Sequence, residues 1–139
     1  MKINELKNII KEVLVEENIF VPRNIENRKE KIKQNILKKL DQKIIEGNIE
    51  IDCKYIPKNY IAKVEIINGD VSLKNCNSLL FLKNLKEVNG EFNCGYSDLS
   101  SLEGCPKNIN GDFWCSWNKK RFKQSEVKKY CNVKGYTYL

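Results

Sequence analysis

The chain of 139 residues contains no histidine. This removes the commonest general base and the commonest metal ligand, so Ser-His and Cys-His nucleophile pairs and the H-E-x-x-H metal helix are unavailable from this chain alone. Its six cysteines, Cys53, Cys76, Cys94, Cys105, Cys115 and Cys131, include no C-x-x-C pair and no zinc-knuckle run. Buried thiols are therefore favoured over metal or redox chemistry. There is also no long apolar run: the opening "MKINELKNIIKEVL" is amphipathic and interrupted by charge, unlike a secretory signal or a membrane span. Together these absences predict a reduced, cytoplasmic chain with no metal, cofactor, membrane or small-molecule partner.

What is present is a repeat. Three equally spaced windows, starting at Asn68, Asn89 and Asn110, share the order Asn-Gly-acid-apolar. A fixed period of this size, about 21 residues, predicts units that bury their apolar faces only by stacking on neighbours. In register, Val71, Phe92 and Phe113 form one column and Leu73, Cys94 and Cys115 the next. Cys76, Ser97 and Asn118 lie three residues further on, and Leu79, Phe81, Leu99 and Leu102 follow. This reads as L-x-L-x-x-N/C-x-L, the leucine-rich-repeat pattern. Strand alternation then turns Phe92 and Cys94 inward and Glu91, Asn93 and Gly95 outward. Asn-Gly suits a tight turn into each strand.

The first third follows a helical period instead. Ile3, Leu6, Ile9, Ile10, Val13 and Leu14 mark one helix, "NIFVPRN" a break at Pro22, and Ile25, Ile32, Ile36, Leu37, Leu40, Ile44 and Ile45 a second helix ending near Gly47. The hairpin is expected to cap the first repeat, with burial in a partner or a homodimer as the alternative. "NIEIDCKYIPKNYIAKVEII" reads as strands leading into the stack. "FKQSEVKKYC" reads as a short helix with Ser125 as N-cap, and "NVKGYTYL" as a last strand. The expected fold is α+β: a short leucine-rich-repeat-like β-solenoid of about three repeats over 48–139, a helical cap or arm over 1–47, and a closing C-terminal helix and strand.

"GEFNCGYSDLSSLEGCPKNINGDFWCSWN", with the ending "FKQSEVKKYCNVKGYTYL", resembles leucine-rich-repeat-like proteins of tailed bacteriophages and prophages, whose units are similar to G-D-F-x-C-x-x-N-x-L-x-S-L-E-G-x-P-x-x-V. The run Ser101 to Pro106 is the most specific part. Lys120 stands where that pattern has Leu, and the first window lacks E-G-x-P. The resemblance implies a right-handed solenoid of phage or prophage origin, acting in a bacterial host cell. It implies binding surfaces without a catalytic motif, and inhibition of host defence, including CRISPR effectors, as the sharpest function.

The outward positions supply the candidate site. Trp114 on a strand face is the expected anchor, extended by Tyr96 and Trp117 just past the strands, with Asn93, Asp112 and Glu91 beside it. For Tyr96 and Trp117, packing on their own loops is an equal alternative. Asp70, Glu91 and Asp112 form an acidic column that serves turn geometry better than catalysis or cation binding. Charge is concentrated at the ends: residues 118–139 hold 7 Lys/Arg against 1 Asp/Glu and residues 1–47 hold 11 against 8, while 48–117 hold 7 against 9. Lys119, Lys120, Arg121 and Lys123 near the aromatics, and Arg28, Lys29 and Lys31 on the second helix, could meet an acidic partner or nucleic acid. The expected function is non-enzymatic binding of a host protein or ribonucleoprotein. The alternatives are direct RNA or DNA binding through the basic ends, or a virion structural or assembly role.

Overall fold

The structure, a computed structural model, describes residues 20–139, with side chains from 26 onward. It is α+β, with two α-helices and two parallel sheets among the described residues and no closed barrel. Helix α1 spans Phe20–Leu40. Phe20–Asn24, expected as part of a break, are helical, and Pro22 lies among the first described residues of the helix. The first predicted helix, from Ile3 to Leu14, and the side chain of Ile25 lie outside the described residues. Residues Ile36–Leu139 form one compact unit, and the described residues before Ile36 belong to another.

The strands alternate between the two sheets. Strands β1 (Ile44–Glu46), β3 (Ile66–Asn68), β5 (Glu87–Val88), β7 (Asn108–Ile109) and β9 (Asn132–Val133) form one five-stranded sheet in that order. Strands β2 (Ile49–Asp52), β4 (Val71–Lys74), β6 (Phe92–Asn93), β8 (Phe113–Trp114) and β10 (Thr137–Tyr138) form the other. All pairs are parallel. In the first sheet Ile44 pairs with Ile66, Ile66 with Glu87, Glu87 with Asn108 and Asn108 with Asn132, a nearly constant interval that lengthens only at the last pass. Each pass of the chain thus adds one strand to each sheet.

The residues explain both sheets. Ile49, Val71, Phe92 and Phe113 stand in register and are buried, as are Ile51, Leu73, Cys94 and Cys115. Ile45, Ile67, Val88 and Ile109 face them from the first sheet, and Leu79, Phe81, Leu82, Leu85, Leu99 and Leu102 fill the rest of the interior. Phe92 and Phe113 touch with ring centroids 5.8 Å apart. Burying such a ring contributes roughly 1.5–3 kcal/mol.

The Asn-Gly pairs do more than turn the chain. A Cβ on Gly69 would collide with the Gly47 backbone, one on Gly90 with Gly69, and one on Gly111 with Gly90. The passes therefore approach too closely there for any side chain. Beside this glycine column the amides form a ladder. Asn68 Nδ2 donates to Glu46 Oε1 (2.8 Å), Asn89 Nδ2 to Asn68 Oδ1 (2.7 Å), and Asn110 Nδ2 to Asn89 Oδ1. Two of the three acids after these glycines act similarly. Asp70 Oδ1 accepts the Glu91 N–H (2.8 Å) and Asp112 Oδ1 accepts the Tyr136 N–H (2.8 Å).

Several local expectations need correction. The second helix ends at Leu40, and Ile44–Glu46 is a strand in which Ile45 is buried and Ile44 exposed. Strand β1 pairs with β3, a backbone partner that extending the helix would remove. Helix α2 (Gln124–Tyr130) is capped by Lys123, whose N–H donates to Glu126 Oε1 (3.3 Å), so Ser125 lies inside the helix. "NVKGYTYL" supplies two strands, β9 and β10. Cys53 and Cys76 are joined by a disulfide, in place of the two thiols expected of a reduced chain. Cys94, Cys105, Cys115 and Cys131 are free and buried.

Candidate functional site: an aromatic step beside a cationic loop

The site lies along the second sheet and the turns that leave it. Across β4, β6, β8 and β10 the outward column runs Ser72, Asn93, Trp114, Tyr138. Trp114 does face outward, but the last pass covers it. Tyr138 stacks on its ring at 3.7 Å with the planes 14° apart, leaving Trp114 half-buried and its Nε1–H without an acceptor among the described residues. Trp114 is therefore a wall of the site, and its neighbours hold the exposed positions.

Those neighbours are Tyr96 and Trp117. They are 79% and 74% exposed, and their rings lie 6.0 Å apart at 15°. Packing on their own loops, the alternative reading, does not occur. Both have left-handed backbone, with φ of 53° and 59°, and the equivalent residue of the preceding pass, Asn75, has φ of 55°. Asn visits this conformation readily, whereas a bulky side chain does so at a cost. Most of each ring nevertheless stays open to solvent.

The loop after Trp117 carries the cations. Asn118 anchors it, since its Nδ2 donates to the Cys94 and Cys115 carbonyls (3.0 Å each) and its Oδ1 accepts the Leu99 N–H (3.1 Å). Lys119, Arg121 and Lys123 are exposed and make no ion pair among the described residues. Lys120 is engaged elsewhere, with its Nζ 2.6 Å from Glu126 Oε2, and this holds the Glu126 carboxyl below its ordinary range. Arg121 lines an open cavity of about 360 Å³ with Ser116, Trp117, Asn118 and Leu139. Arg28, Lys29 and Lys31 are exposed on α1, in the other unit, where Lys29 Nζ lies 3.9 Å from Glu26.

The acidic column borders the same face. Glu91 is half-buried, and burial followed by the neighbouring Asp70 and Asp112 carboxylates pushes its carboxyl up. Asp70 and Asp112 are occupied with backbone N–H groups, as the turn-geometry reading requires. Among the described residues no group of three or more Cys, Asp or Glu could hold a metal ion. No described helix is long and apolar enough to cross a membrane.

The sequence reading missed the Trp114–Tyr138 stack and the Cys53–Cys76 bond. The first required the register of β10, which is reached only after a lengthened final pass with an inserted helix. The second had a signal: Asp52 pairs with Lys74, which places Cys53, one residue past its strand, near Cys76, two residues past its own. Compared with protein-family models, curated proteins and solved structures, the chain matched none.

Proposed function

We propose that the chain is a short leucine-rich-repeat-like solenoid that acts without catalysis, binding a protein partner through Tyr96 and Trp117. Arg121 and Lys119 contribute at its edge, and Trp114, Asn93, Asp112 and Glu91 form the adjoining face. The observation carrying this reading is the exposed, stacked aromatic pair held in left-handed backbone. Residues kept in a costly conformation while most of each ring faces solvent point to an external partner. The repeating register supports the solenoid, and the likeness to phage and prophage repeats makes a host protein or nucleoprotein the proposed partner. Inhibition of a bacterial defence complex such as a CRISPR effector is the sharpest form of the proposal. Action in the host cytoplasm belongs to it too, and the Cys53–Cys76 bond weighs against a fully reduced setting.

Affinity capture from the bacterial host, with and without nuclease, tests the reading. The expected result is a discrete protein retained after nuclease and lost when Tyr96→Asn/Trp117→Asn is the bait. Equal recovery by the double variant would remove the aromatic pair from the site. Direct nucleic-acid binding is the second reading, favoured by Lys119, Arg121 and Lys123, which pair with no described acid. It predicts affinity for oligonucleotides that falls steeply with salt.

A further inference from the structure

Two of the free cysteines lie side by side near the C-terminal end. Cys105, in the loop between β6 and β7, and Cys131, which caps the end of α2, hold their Sγ atoms 3.4 Å apart. Both are buried, at 7% and 6% exposure. Closing to a bonded distance of about 2.05 Å requires only a small movement of two short side chains. The backbone around them is already fixed. The Cys105 N–H donates to the Leu102 carbonyl (3.0 Å), the Cys131 N–H to Val127 (2.9 Å) and the Asn132 N–H to Lys107 (2.8 Å). The last of these pins the residue after Cys131 to the strand entered just after Cys105.

We infer that Cys105 and Cys131 are a modification site, a thiol pair that small-molecule disulfides such as oxidised glutathione convert to a second cystine. The Cys131 thiolate attacks one sulfur of the small disulfide, forming a mixed disulfide and releasing one glutathione thiolate. Cys105 then loses its proton and attacks the Cys131 sulfur. The Cys105–Cys131 bond forms and the second glutathione leaves as a thiol. Two protein thiols are oxidised and one small disulfide is reduced.

The roles follow from the surroundings. The Cys105 thiol hydrogen-bonds to Cys131 and holds Cys131 below the ordinary thiol range, whereas burial pushes Cys105 well above it. Cys131 is thus the attacking group. Access comes from opening α2, a helix of 7 residues at the margin of the fold. Cys94 and Cys115 lie buried one residue past β6 and β8. Burial pushes Cys94 well up and Cys115 to about 12, which leaves both unreactive.

The consequence is mechanical. The bond ties the final pass, with α2, β9 and β10, to the loop that precedes β7. That pass carries Tyr138, which covers Trp114, and Leu139, a wall of the Arg121 cavity. Oxidation therefore locks one side of the aromatic site, and the bond forms or fails to form whatever that site binds.

The full chain is equilibrated with reduced or oxidised glutathione, acid-quenched, alkylated after denaturation, digested and read by mass spectrometry. The expected result in oxidised glutathione is a linked peptide pair joining Cys105 to Cys131, lighter by two hydrogens than the two thiol peptides, with Cys94 and Cys115 alkylated. In reduced glutathione both peptides carry the alkyl label. Cys105 and Cys131 still alkylated, when Cys53–Cys76 is fully bonded, would overturn the inference. So would separate glutathione adducts on each, or either one paired with Cys94 or Cys115.

Discussion

Replacing Tyr96 and Trp117 together by Asn, the residue at the equivalent Asn75, separates a binding role from a folding role. The left-handed conformation costs a bulky residue roughly 1–2 kcal/mol, and Asn avoids most of that cost, so two replacements recover about 2 kcal/mol or more. Against this stand two losses. The stacked pair, 6.0 Å apart, contributes about 0.5–1 kcal/mol. The covered fraction of each ring, roughly 50 Å² at about 25 cal/mol per Å², contributes about 1.2 kcal/mol apiece, part of which Asn retains. The terms nearly cancel, and the double variant is expected within about 1 kcal/mol of the parent. In a compact unit of this size that is a melting shift of roughly 4 °C or less.

Urea and thermal denaturation followed by circular dichroism measure the change, and capture of the protein partner is scored on the same preparations. Binding is expected to disappear while stability stays. A loss above about 2 kcal/mol would refute the reasoning, because it would mean that the aromatics hold the turns together. The contrasting substitution is Phe113→Ala, which empties a fully buried site against Phe92 and is expected to cost about 3–5 kcal/mol.

Four further outcomes follow from the same geometry. Gly69→Ala drives a Cβ into the Gly47 backbone and is expected to destabilise by more than about 3 kcal/mol. Gly95→Ala, whose Cβ would meet the Ser116 carbonyl oxygen at 3.1 Å, should cost clearly less in the same denaturation assay. Cys53→Ala/Cys76→Ala opens a link between residues 23 apart; the loop-entropy relation gives a loss near 3 kcal/mol, and unchanged urea midpoints would contradict it. Glu91→Gln removes a carboxyl whose pKa is raised by burial, Asp70 and Asp112. Because the folded chain holds that proton more tightly than the unfolded one, wild-type stability falls as pH rises through the raised pKa. The variant should gain a few tenths of a kcal/mol near neutral pH and no advantage in acid, and a pH series of melts that stays parallel would show the charge to be irrelevant.

The parts legible in the sequence were those with a long-range period. Val71, Phe92 and Phe113 could be aligned because inward positions alternate along a strand and recur at the interval of the repeat. The first sheet was largely hidden because Glu87–Val88 and Asn108–Ile109 are strands of two residues with one buried side chain each, too short to alternate. Ile36, Leu40 and Ile44 lie at helical spacing, so the strand at Ile44–Glu46 could not be told from a continuing helix; its pairing with Ile66–Asn68 decides it. Outward register alone marks Trp114 as an anchor, and Tyr138 covers it. The useful clue was Asn75. An Asn at a turn suggests left-handed backbone, and the period carries that requirement onto Tyr96 and Trp117.

Charge placement on the second sheet restricts the partner further. On one margin Asp70, Glu91 and Asp112 immediately precede the adjacent strands β4, β6 and β8, and on the other Trp117 leads into Lys119 and Arg121. Five residues of extended chain separate Asp112 from Trp117, roughly 16 Å at about 3.3 Å per residue. That is about twice the screening length at physiological ionic strength, so the margins act as two electrostatic sites of opposite sign. A nucleic-acid strand laid across the face would gain at one margin and be repelled at the other, and could follow only the cationic edge. A protein surface can present an acidic segment to Arg121 and a basic one to Glu91 while an apolar side chain meets Tyr96 and Trp117. The mixed face is therefore better matched to a protein than to a polyanion. Arg121→Glu and Glu91→Lys should each weaken capture of a protein partner, whereas for an oligonucleotide the first should weaken binding and the second strengthen it.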